Sequence, residues 1–129
     1  MFRWLSQSVV LHMHAELMDE HGGLNGPVNE QNLDSTLTRP QQLLHYESPM
    51  PSIFQLAASY GYGLAMNHCF RDGNKRISLV CIDVFLQING YELIAGEADA
   101  VVTIESLASG TLTEEELTDW IIQNTMMIK

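Results

Sequence analysis

The chain has 129 residues, the length of one domain, and a domain of that size buries about two-thirds of the surface its unfolded chain exposes, without help from disulfides or a structural metal. Sixteen acidic against six basic residues give a net charge of -10, which repels nucleic-acid phosphates over most of the surface and argues against general DNA or RNA binding. The two cysteines, Cys69 and Cys81, lack zinc-site or disulfide spacing, and no apolar run approaches the roughly 18 residues of a membrane span, so a soluble protein of the reducing cytoplasm is expected.

From about Ser6 to His21 the apolar residues Val9, Val10, Met13, Leu17 and Met18 recur at helical spacing, and Gly22-Gly23 supplies a left-handed stop. His12 and His14 lie two apart on this first helix, on different faces, and read as ordinary surface or half-buried residues. After the Gly26-Pro27 turn, Asn29 is suited to cap a short second helix that ends near Arg39, because Pro40 follows. The stretch from Gln41 to Pro51 then reads as an extended loop or flap, able to pair with a peptide strand or to serve as a plain connector.

Ser52 caps a third expected helix running to about Asn67, whose interior Gly61 and Gly63 imply close approach of a neighbouring helix. The run from Ile77 to Asn89 is apolar nearly all round and belongs at the centre of a bundle. Glu97 to Ala108 forms a fifth helix. Thr113 and Glu116 then make a capping box for a sixth, in which Glu114, Glu115 and Glu116 are a solvated start and Leu117, Trp120, Ile121 and Met127 supply the apolar face. The expected architecture is all-α: one domain over residues 1–129, about six helices around a central apolar one.

Between the third and fourth helices stands His68-Cys69-Phe70-Arg71-Asp72-Gly73-Asn74-Lys75-Arg76, which holds three of the six cations. A helix starting at Gly73-Asn74 aims unpaired backbone N–H groups at whatever lies before the turn, which suits an anion. Gly73 allows a phosphate close to the backbone, Asn74 can add a side-chain donor, and Lys75 and Arg76 add positive charge, so these four residues read as a polyphosphate cradle. Asp72 is suited to carry magnesium together with substrate phosphates, and His68 to take a proton from an attacking hydroxyl. Singly, such a histidine is more often a helix-end partner and such an aspartate a turn residue; their co-occurrence with the cationic cluster favours chemistry. Phe70 reads as a core anchor, Arg71 as a solvated charge, and Cys69 as a weak candidate nucleophile.

This run closely resembles the signature of the Fic/Doc family, H-x-F-x-D/E-G/A-N-x-R. Lys75 stands where adenylyl-transferring members usually carry glycine, which resembles the death-on-curing branch, as do Arg39-Pro40-Gln41 and Phe85-Leu86-x-x-Asn89-Gly90-Tyr91. The resemblance implies an all-helical toxin of a toxin–antitoxin pair that transfers the terminal phosphate of ATP to a hydroxyl on a translation elongation factor. It makes His68 the base, Asp72 the magnesium ligand, Gly73, Asn74, Lys75 and Arg76 the phosphate site, residues 41–51 the flap that holds a target peptide, and an antitoxin the partner. Two departures stand out: Cys69 follows the histidine where relatives often have proline, and Glu20-His21 occupy a place where many carry an arginine, so nucleotide binding there is expected to be weaker or redirected. Nucleotidyl (AMP) transfer is the runner-up activity, and a catalytically idle peptide-binding module the third reading.

Overall fold

The computed structural model describes residues 1–128. Ser6 opens α1 (Gln7–His21) by accepting from the Val9 amide at 3.1 Å, and Gly22 closes it in the left-handed region at φ 72°. Asn29 caps α2 (Glu30–Tyr46) as the sequence suggests, but that helix runs straight through Pro40 instead of stopping before it. Leu33, Thr36, Leu37 and Pro40 form one buried face at helical spacing, and their packing offsets the backbone bond a proline cannot donate. The irregular segment is therefore only 47–52, about half of the loop expected from Gln41 to Pro51.

Ser52 and Gln55 close a reciprocal capping box at the start of α3 (Ile53–Met66), at 2.7 and 3.2 Å. Ten of its fourteen residues are buried, which makes α3 the most enclosed helix, packed along the apolar α4 (Asn74–Ile88). The small side of α3 explains the fit: a Cβ at Gly61 would collide with Ile82 of α4, and one at Gly63 would lie 2.6 Å from Thr36 of α2. Ser78 of α4 donates to the Gly61 carbonyl at 2.6 Å, so the approach is also hydrogen-bonded.

After α4 the chain makes two elements that helical periodicity does not announce. Strands β1 (Tyr91–Leu93) and β2 (Thr125–Met127) pair antiparallel, Tyr91 opposite Met127 and Leu93 opposite Thr125. Met127 thus leaves the last helix's apolar face and is 70% exposed. Between the strands lie α5 (Glu97–Ala108) and α6 (Glu114–Gln123), the latter opened by the expected Thr113–Glu116 box. Glu114 is not simply solvated: it accepts two parallel bonds from Arg39 of α2, at 2.7 and 2.8 Å, and ties α6 to α2. Among the described residues no helix is long and apolar enough to cross a membrane.

Tyr60 and Cys81 are fully buried in the shared core of α3 and α4. Burial pushes the Tyr60 phenol from 10.0 to about 12 and the Cys81 thiol from 9.0 to about 12. The folded chain holds both protons where the unfolded chain has lost them. Stability is therefore intact below about pH 9 and falls as pH rises toward about 12, by up to about 1.4 kcal/mol per pH unit for each group. Thermal melts from neutral to alkaline pH should show this decline, with a shallower slope for Cys81→Ala above about pH 9. A melting temperature flat across that range would contradict the assignment.

Candidate active site

The turn between α3 and α4 is built by local chemistry at both ends. Asn67 ends α3, and His68 follows in the left-handed region at φ 51°, a conformation that costs a non-glycine residue about 1 kcal/mol or more. Three contacts hold this strained corner from the start of α2. The Asn32 side chain donates to the Asn67 carbonyl at 2.8 Å, the Asn29 amide donates to the Cys69 carbonyl at 2.8 Å, and the Asn67 side chain donates to Thr36 Oγ1 at 2.9 Å. The carbonyls before and after His68 are both fixed, while its imidazole faces an open cavity.

Cys69 turns the other way. It is wholly buried with its thiol 3.6 Å from Thr36 Oγ1, and burial pushes the thiol up, so it is no nucleophile. Phe70 is the anchor the sequence suggests, 4% exposed.

Gly73 starts α4 at φ 80°, and no side chain caps the helix end, so the first-turn N–H groups of Asn74, Lys75 and Arg76 face forward without a capping partner. Met18 fills the space where a Gly73 side chain would be. Asn74 does something other than supply a donor to a ligand: its Oδ1 accepts from the Phe70 amide at 3.1 Å and its Nδ2 donates to the Phe70 carbonyl at 2.9 Å. The Asn74 side chain locks the turn, leaving only its backbone N–H for an anion. Lys75 and Arg76 are exposed and form no ion pair among the described residues.

Asp72 bridges two segments. Its Oδ2 accepts from the Leu24 amide at 3.0 Å and its Oδ1 from the Gly73 amide at 2.8 Å. These bonds, Leu24's first, hold the carboxyl below the usual range, with Arg76 and His14 adding to the effect. The charge and the Leu24 tether thus survive mild acid and are lost only as pH falls through that depressed value.

Together these residues line a cavity of about 1070 Å³. His68, Asp72, Gly73, Asn74, Lys75 and Arg76 make its floor, as the sequence expects, with Arg71 beside them. The walls come from elements that sequence reasoning left out: His21, Gly22 and Gly23 at the end of α1, and Val102, Glu105, Ser106 and Ser109 on α5. Glu20, the residue standing in for an expected cation, does not line the cavity, whereas His21 does. Among the described residues no three His, Cys, Asp or Glu side chains gather as a metal cage, so the floor offers a cation the single carboxylate of Asp72.

The arrangement joins an ionised carboxylate, an uncapped helix start, two exposed cations and an imidazole around one opening. Comparison with known proteins gives a consistent result. A model described as the Fic/DOC family matches residues 4–86. The chain is 26% identical over 117 residues to a protein named "Protein kinase doc" from Escherichia phage P1, covering 91% of each chain. It is also 38% identical over 63 residues to one named "Toxin Doc" from Mycolicibacterium smegmatis, covering 49% of this chain and 48% of that protein.

Proposed function

Because the chain belongs to the Fic/DOC family, we propose that it is the toxin of a toxin–antitoxin pair and transfers the terminal phosphate of ATP to a hydroxyl of a protein, a translation elongation factor by family resemblance. The observation that carries the reading is the shared cavity: His68, the Asp72 carboxylate and the uncapped start of α4 meet there, beside the cation Lys75. The names of the two relatives, one a kinase and one a toxin, support it.

The triphosphate lies with its oxygens toward the N–H groups of Asn74, Lys75 and Arg76, where the positive end of the helix dipole and the two side-chain charges attract it. The donor set fits magnesium: Asp72 is held ionised and uses two of its roughly four lone-pair positions on backbone amides, leaving a position for a cation that phosphates and water complete. Magnesium, when bound with the nucleotide, neutralises charge on the phosphate oxygens. His68 takes the proton of the attacking hydroxyl as its oxygen bonds to the terminal phosphorus. The bond to the bridging oxygen breaks, and ADP leaves with that electron pair. The antitoxin is the protein partner, and nucleic acid has no role at this site. The segment 47–52 beside α3 remains the flap for the target peptide.

ATP labelled on the terminal phosphate, incubated with magnesium, the protein and a cell lysate, should leave label on a protein, and ATP labelled on the inner phosphate should not. Lys75 decides between these outcomes, because its bulk and charge at the second position of α4 change how the triphosphate crosses the turn. Lys75→Gly is expected to lower terminal-phosphate transfer at least 10-fold, the scale of a lost charged contact to phosphate. Label arriving from the inner phosphate with the unaltered protein would replace phosphoryl transfer by nucleotidyl transfer.

A further inference from the structure

We propose that His14 of α1 is a positioning residue for the Asp72 end of this turn: it never touches substrate, and it sets the direction of the peptide from which both the Asp72 carboxylate and the start of α4 project. The inference rests on the phosphotransfer reading for what the turn does, though not for its geometry. His14 is 7% exposed and does not line the cavity. Its ring lies flat on Phe70, the centroids 3.7 Å apart and the planes 13° from parallel, which fixes the plane of the imidazole. Nε2 then stands 2.7 Å from the Asp72 carbonyl oxygen. A carbonyl only accepts, so Nε2 must carry the proton, and the tautomer is set by this contact.

The Asp72–Gly73 peptide is the joint of the site. Its oxygen is held by His14, and its N–H donates to the carboxylate of Asp72 itself, whose other oxygen takes the Leu24 amide. Rotation of that peptide would swing the carboxylate off Leu24 and tilt the first exposed amides of α4. The space that would permit rotation is filled, because an added Gly73 Cβ would meet Met18 and lie 3.4 Å from His14 Nε2. His14 thus holds Asp72 from behind, in the manner of outer partners that orient metal-binding groups, whose loss typically costs about 10- to 100-fold in metal affinity or activity.

His14→Phe keeps an aromatic ring on Phe70 and removes the donor. His14→Gln loses the stack and restores an N–H donor at about the same distance from the backbone. If His14 acts through its hydrogen bond, His14→Phe should raise the magnesium concentration for half-maximal transfer, and lower kcat, by about 10-fold or more, while His14→Gln stays within about threefold of the unaltered protein. In parallel, without nucleotide, the amide proton resonances of Leu24 and Gly73 should move in His14→Phe and stay near their original positions in His14→Gln, with the α3 amides unchanged in both. If His14→Phe matches the unaltered protein in these resonances, or if His14→Gln is displaced as far as His14→Phe, the proposal is overturned. If the unaltered protein transfers no phosphate, the functional reading fails, and the resonances still decide the role of His14.

Discussion

Replacing His68 by alanine should lower phosphate transfer by about 10²- to 10⁴-fold, the usual contribution of a positioned general base, while leaving magnesium-ATP binding and the melting temperature nearly unchanged. The separation of effects follows from the geometry. The imidazole faces the cavity, whereas the backbone around it is held by Asn29 and Asn32 through the Cys69 and Asn67 carbonyls, contacts that an alanine side chain leaves intact. Alanine pays a left-handed conformational cost at φ 51° somewhat above that of histidine, a residue more often found there, so only a small loss of stability is expected. In cells, if the protein acts as the proposed toxin, the same change should relieve the growth arrest that its expression is expected to bring. Full transfer by His68→Ala would remove the base from the scheme.

Asp72→Asn is the second large effect. The side chain keeps its shape and one acceptor oxygen, but loses its charge and turns an NH₂ group toward one of the two backbone donors. Transfer is expected to fall by roughly 10²- to 10³-fold, the scale of removing one electrostatic contact from a transition state, with a raised magnesium requirement as its signature. The fold should persist, because the loop around Leu24 that the carboxylate tethers is exposed and water can satisfy its amide. Kinetics over a magnesium titration separate this outcome from general damage: a variant that is slower but has the same magnesium dependence would show that Asp72 only shapes the loop.

The features legible in the sequence are those set within a few residues. Ser6, Ser52 and Thr113 each accept from the amide three residues on, Gly22 closes its helix locally, and all four boundaries lie where residue type alone puts them. Gly61 and Gly63 were legible for a related reason, since a glycine inside an apolar helix implies a close neighbour, although which neighbour was decided by Ile82 and Thr36. Pro40 misleads because its local cost is offset by burial of the α2 face against α3, a tertiary effect. The β1–β2 pair joins two three-residue strands from distant parts of the chain, too short to carry a period of their own.

Within the site the division is similar. The run from His68 to Arg76 announces itself because its residue types are unusual together. Asn74, however, reads from its type and place as a side-chain donor to phosphate, and its two bonds to Phe70 assign that side chain to the turn instead. His14 could not be read from α1, where its spacing from His12 says only that the two face differently. Its partners Phe70 and Asp72 lie far along the chain. The α5 wall was equally silent, since Glu105 and Ser106 look like any solvated helix face until the fold brings them to the cavity that Lys75 also lines.

Everything proposed for this site depends on a polyphosphate seating at the start of α4. The most direct measurement of that seating is the backbone amide spectrum of the protein titrated with magnesium-ATP. The largest changes should fall on Asn74, Lys75 and Arg76, with smaller ones at Gly73 and Leu24. Binding that leaves these amides unmoved while shifting others, or no saturable binding at all, would contradict it.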